Sequence, residues 1–197
     1  MKKPGKYSQK NDEMLMLDIE AGSHRAFDEL YGRYKKRVLY FFYRMLSGDE
    51  EKARDLTQDL FYKIIHKSST FNPSKKFSTW LFSIANNMCK NEYHRMQIRK
   101  IIIHLEGHEI PDENEEPGHE IDTRILKNHM QTFIDELHED TRAMFIMRYR
   151  EELSIREISN ITGIKEGTVK SSLFYARKKI REKILKITAI HHEKSDK

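Results

Sequence analysis

Asn87, Lys90, Asn91 and His94 recur at spacings of three, four and seven residues, so on a helix they fall on one face. Asparagine amides supply both donors and acceptors, and lysine and arginine meet phosphates. Just upstream stands Lys75-Lys76-Phe77-Ser78-Thr79-Trp80. Aromatic faces give unpaired bases a surface to stack on, worth roughly 1–3 kcal/mol per base. Basic residues, an amide stripe and loop aromatics in one stretch therefore suit a single strand of nucleic acid better than a duplex. Two plainer explanations compete: Phe77 and Trp80 fit equally as core aromatics, and an amide stripe alone fits a solvated helix face.

A second cluster runs from Leu153 to Lys179, LSIREISNITGIKEGTVKSSLFYARKK. Ser154 followed three residues later by Glu157 is a capping box, which starts a helix. Ile155, Ile158 and Ile161 form its apolar stripe, and Gly163 permits the positive φ of a sharp turn. Val169, Leu173 and Ile180 return a second helix to the core, with Lys170, Arg177, Lys178, Lys179 and Arg181 on or beside its remaining surface. This is the pattern of a helix-turn-helix whose second helix enters a duplex major groove.

The elements that must carry these clusters are helical. Four prolines and eight glycines are scattered among abundant Leu, Ile, Met, Lys and Glu, a composition that predicts an all-α chain. Helical periodicity is expected from Met14, from Ser23 to about Leu46, over 50–67, and from Ser78 to Arg95 or slightly beyond; it resumes over 124–138, 140–151, 154–161 and 165–186. Residues 106–123 contain no Lys or Arg and eight acids, a net of −8, with two prolines and two glycines. That is the composition of a flexible acidic linker. The flanking blocks are basic, net +8 over 1–105 and +5 over 124–197. The expected organisation is thus two small helical domains, 13–105 and 124–187, joined by the acidic linker 106–123, with disordered ends at 1–12 and 188–197. Two basic domains and a linker that avoids phosphates point to nucleic acid as the shared ligand.

Other classes find little support. No run of about 18 apolar residues suggests a membrane span, and the N-terminus lacks the apolar segment of a secretory signal. With one cysteine, Cys89, no internal disulfide can form, and a cytoplasmic protein is expected. The histidines show no compact ligand spacing, so no zinc or other metal is expected. Gly163 and Gly167 do not make a phosphate loop, and neither cofactor nor enzymatic activity is expected.

The order AFDELYGRYKKRVLYFFYRML, DLTQDLFYKII, FSTWLFSIANNMCKNEYHR, an acidic linker and a terminal helix-turn-helix resembles the bacterial extracytoplasmic-function (ECF) sigma factors of the sigma-70 family over about residues 22–186. The resemblance implies a protein that binds core RNA polymerase and directs promoter recognition, DNA melting and initiation. It implies contact with the clamp coiled coil of the β′ subunit through Asp55, Gln58, Asp59, Phe61 and Lys63, and contact with the β flap. It implies that the −10 element is opened by Lys76, Thr79, Trp80, Lys90, Asn91, His94 and Arg95 around Asn87, the position that reads a flipped base. The −35 element falls to Lys165, Thr168, Lys170, Ser171, Phe174, Arg177 and Lys178, together with Ser172 and Tyr175. These last two depart from the family, which often carries basic residues there; Ser172 cannot make the bidentate arginine–guanine pair. An anti-sigma protein is the implied regulator, and the linker is implied to thread toward the polymerase active site. The alternatives are a stand-alone helix-turn-helix regulator that binds an operator as a dimer and a module that only sequesters another protein.

Overall fold

A computed structural model describes residues 7–105 and 132–195. Among them are seven α-helices, one short 3-10 turn and the last part of a further helix at 132–135: α1 (Asp12–Glu20), α2 (His24–Met45), α3 (Glu50–His66), the 3-10 turn Ser68–Thr70, α4 (Phe77–Leu105), α5 (Glu139–Tyr149), α6 (Ile155–Thr162) and α7 (Glu166–Ser195). The expected linker, 106–123, lies outside the described residues, as does the start of the helix expected over 124–138; of that helix, residues 132–135 are seen.

Local chemistry sets most of the helix starts. Asn11, Ser23 and Asp49 each accept a bond from a backbone N–H in the first turn of α1, α2 and α3. The first N–H of α4 is capped from a distance, Phe77 N donating to Glu13 Oε1 of α1 at 2.9 Å. Leu30, Tyr34, Val38, Phe41, Phe42 and Met45 recur along α2 at helical spacing and are buried against α1, α3 and α4. Cys89 is buried in the same core, and burial pushes its thiol up, out of the reactive range.

Residues 7–12 and 188–195 are more ordered than expected. Residues 7–12 form an arm on α2: Arg33 donates to the carbonyls of Tyr7, Ser8 and Lys10 and to Asp12, and Tyr34 Oη donates to the same Asp12 carboxylate. The preceding six residues lie outside the described ones. Helix α4 continues past Arg95 to Leu105, and α7 reaches Ser195 through the tail expected to fray. Neither stretch contains a glycine or proline to stop it.

The capping box is formed on both sides, Ser154 Oγ accepting from Glu157 N and Glu157 Oε2 accepting from Ser154 N at 2.8 Å. Gly163 ends α6 at φ 75 and ψ 5. Phe133, Ile134 and Leu137 pack on Ala176 and Ile180 of α7. A single apolar core runs from Leu15 to Cys89 and on through Met144, Met147, Ile158 and Val169, so the N-terminal and C-terminal helices are packed together, α4 against α6 and α2 against α5.

Gly163 and Gly167 should respond oppositely to alanine. At φ 75 a Cβ is strained by roughly 1–2 kcal/mol, so Gly163→Ala should lower the thermal midpoint. Gly167 is inside α7 with nothing within 4 Å of an added Cβ, so Gly167→Ala should raise stability by about 0.5–1 kcal/mol. Thermal unfolding followed by circular dichroism checks both; equal effects would refute the turn assignment.

Candidate nucleic-acid interface

Three exposed faces carry the residues singled out above. On α4, Asn87, Lys90, Asn91, His94 and Arg95 are solvent-exposed along one side, and Lys76 stands exposed in the loop before the helix. The opposite side, with Phe77, Leu81, Phe82, Ala85 and Met88, is core. Phe77 is therefore a core aromatic, packed edge-on against Tyr34 at 5.1 Å. Trp80 is half-buried, its ring 5.3 Å from Phe71 and 6.1 Å from Phe77, and Thr79 is half-buried beside it. Trp80 thus belongs partly to the aromatic cluster and is not a fully exposed stacking ring.

On α3, Asp55, Gln58 and Asp59 are exposed and Lys63 is half-exposed. Phe61 is not on this face. It is 3% exposed and packs against Phe27 and Tyr31, with ring centroids 6.2 and 4.7 Å apart. Its place among surface contacts is corrected: Ala53, Leu56, Leu60, Phe61 and Ile64 are the inner side, and Phe61 shapes the face from beneath. The neighbouring Tyr62 is the exposed aromatic, its ring 3.9 Å from that of His66. Positions 55, 58, 59, 62 and 66 follow helical spacing, so the sequence held the signal for both.

On α7, Lys165 (one residue before the helix), Thr168, Lys170, Ser171, Phe174, Tyr175, Arg177 and Lys178 are exposed, and Ser172 is half-buried. Val169, Leu173, Ala176 and Ile180 form the buried side. The helix is thus anchored along one edge and presents Lys170, Arg177, Lys178, Lys179 and Arg181 outward, with the hydroxyls of Thr168 and Ser171 and two aromatic rings among them.

The C-terminal unit covers part of the first face. Lys76 Nζ pairs with Glu157 Oε1 of α6 at 2.9 Å, and Lys90 Nζ with Asp140 Oδ1 of α5 at 3.3 Å. Partial burial pushes the Glu157 carboxyl up, but hydrogen bonds from Ser154 and Lys76 outweigh it and hold the group down to about 2. The same bond raises the pKa of Lys76. Asn87, Asn91 and His94 remain exposed.

Two buried charges fasten the units more firmly than these surface pairs. Arg142 of α5 donates to the carbonyl of Met45 at 3.1 Å and to Ser47 Oγ at 3.2 Å, and it bonds the carbonyls of Asp135 and Leu137. Tyr93 of α4 donates to the same Met45 carbonyl, and burial pushes its hydroxyl up to about 12. Glu151, buried two residues beyond α5, accepts from Arg37 Nε at 2.7 Å. Burial pushes its carboxyl above the ordinary range, an effect Arg37 only partly offsets. The guanidinium of Arg37 lies 4.7 Å from the Tyr34 ring centroid. Sequence reasoning missed both charges, because Arg and Glu in an amphipathic helix read as solvated.

Among the described residues no helix is long and apolar enough to cross a membrane. Family models match two parts of the chain: sigma-70 region 2 over residues 30–98 and sigma-70 region 4 over residues 128–180. The ECF RNA polymerase sigma factor SigW of Bacillus subtilis is 28% identical over 177 residues, spanning 84% of this chain and 92% of that protein. The ECF RNA polymerase sigma-E factor of Escherichia coli K12 is 29% identical over 187 residues, spanning 89% of this chain and 95% of that protein. Among solved structures, CnrH in complex with the cytosolic domain of CnrY is similar with a TM-score of 0.65 at 20% identity, covering 88% of this chain and 96% of that one. RpoE of Bartonella quintana, solved with the anti-sigma factor NepR, has a TM-score of 0.62 at 24% identity, covering 79% and 94%. At these identities the structures establish the shared fold.

Removing the Arg142 guanidinium leaves buried carbonyls without a donor. Arg142→Met should cost about 2–4 kcal/mol in urea unfolding and lengthen the distance between fluorescent labels on α3 and α7. A variant as stable and as closed as the parent would refute the fastening role.

Proposed function

Because the chain belongs to the ECF group of the sigma-70 family, alternative sigma factors that bind core RNA polymerase and direct it to promoters, we propose that its three exposed faces divide that work. The α3 face of Asp55, Gln58, Asp59, Tyr62 and Lys63 docks on the β′ clamp coiled coil. The α4 face around Asn87 holds the opened −10 strand. The α7 face holds the −35 duplex. The observation that carries this is the presence of both sigma regions in one chain, each with its polar face exposed beside a buried apolar one.

Flipping a base out of the stack costs a few kcal/mol, which amide contacts from Asn87 and Asn91 and phosphate contacts from Lys76, Lys90 and Arg95 offset. Thr79 and the half-buried Trp80 border the same strand. At the other end Lys165, Lys170, Arg177 and Lys178 meet duplex phosphates while Thr168, Ser171, Ser172, Phe174 and Tyr175 lie between them.

The domain limits 13–105 and 124–187 serve a two-point grip. Promoter elements about 20 bp apart are separated by on the order of 70 Å, part of which the domains span, and eighteen extended residues reach roughly 60 Å. The packed arrangement, with Lys76 and Lys90 bound to the C-terminal unit, is then a resting state that core polymerase must open. An anti-sigma protein acts by stabilising that closed form, and the β flap takes the C-terminal domain once it is released. The protein works in the cytoplasm and performs no reaction itself, the chemistry belonging to the polymerase. A stand-alone dimeric regulator has no use for an α3 docking face or an α4 amide stripe.

Two variants test the division of labour in reconstituted holoenzyme. Asn87→Ala should reduce open-complex formation, read by permanganate reactivity of the −10 strand, without weakening core binding; unchanged melting would remove Asn87 from the flipped-base role. Lys170→Ala should weaken −35 binding and lower the slope of log affinity against log salt by about one. An unchanged slope would take Lys170 off the phosphate backbone.

A further inference from the structure

We propose, resting on the sigma-factor reading, that Tyr175 with Phe174 beside it reads thymine methyl groups in the −35 element, making this protein's upstream specificity apolar where a basic residue would read guanine. Four buried residues, Val169, Leu173, Ala176 and Ile180, fix the inner side of α7. At about 100° per residue, Ser171, Phe174, Tyr175 and Lys178 point away from it. Phe174 is 62% and Tyr175 66% exposed, and their rings meet edge-on with centroids 5.5 Å apart. Such a pair on a basic recognition helix gains by being dehydrated against something apolar. On the major-groove edges of the four bases, the C5-methyl of thymine is the apolar group.

The polar residues around the pair leave this role to it. Ser171 Oγ donates to the Thr168 carbonyl of its own helix at 3.0 Å, which commits its proton. Ser172 is half-buried toward the core side. Lys170 and Arg177, seven residues apart, share one flank of the outward face and are placed to hold phosphates along that side. With the phosphate contacts setting the depth of the helix, the two rings face the groove floor.

The test uses holoenzyme assembled with core polymerase. Promoters are selected from a pool randomised upstream of a fixed −10 element, and each thymine of the selected −35 sequence is replaced in turn by deoxyuridine, which removes only the methyl group. At one or two positions the replacement should weaken binding about three- to fourfold, the effect of losing one buried methyl-sized group. Tyr175→Ala should abolish that sensitivity with the salt slope unchanged, and Tyr175→Phe should retain it; circular dichroism checks that both variants fold. Tyr175→Arg should shift the selected base toward guanine. Deoxyuridine without effect at every position, or Tyr175→Phe as damaging as Tyr175→Ala, would overturn the proposal while leaving the sigma-factor reading intact. Failure of the parent holoenzyme to select any upstream sequence, or to transcribe from any promoter, would overturn the sigma-factor reading beneath it.

Discussion

A buried guanidinium has to be satisfied where it stands, and Arg142 imposes that requirement on the whole molecule. Its donors reach the carbonyl at the end of α2, the turn after it and the two carbonyls that precede α5. Tyr93 brings α4 to the same carbonyl. Segments far apart in the chain thus converge on one planar group whose geometry tolerates little displacement. The apolar core that runs beneath it joins the two units, and the hydrogen-bonding fork adds a directional constraint to that packing.

Around that fixed point the molecule divides its charges into two kinds. Arg142 and Glu151 are withdrawn from water and bonded inside the fold, although Arg142 Nε and Glu151 Oε1 are buried without a hydrogen-bond partner. The cations of α4 and α7 stay at the surface, where salt screens them and partners can exchange. Lys76 and Lys90 belong to the second kind, although acids of the other unit now hold them. On the proposed promoter reading, a strand of DNA offers those cations phosphates in place of carboxylates, and opening the molecule exchanges one set of anions for another.

Much of this was legible in the residues. The α6–α7 turn could be read directly, because a capping box, three isoleucines and a glycine each have one local consequence, and all three signals agree. The buried side of α4 and the polar stripe opposite it followed from spacing alone. What escaped had nonlocal causes. The arm at residues 7–12 is ordered by Arg33, whose partners are mostly backbone carbonyls that no side-chain pattern announces. Arg37 and Glu151 are 114 residues apart, and nothing in either neighbourhood marks them as partners.

Glu157 serves two masters. One carboxylate closes the cap of α6 and also receives Lys76 from the other unit. A change at Glu157 that loosens the hold on Lys76 also frays the start of the helix-turn-helix. Lys76 carries no such second duty in the closed form. Within the closed form, a weaker latch that leaves the cap of α6 intact therefore has to come from the lysine, because the acid is also held by the helix it begins.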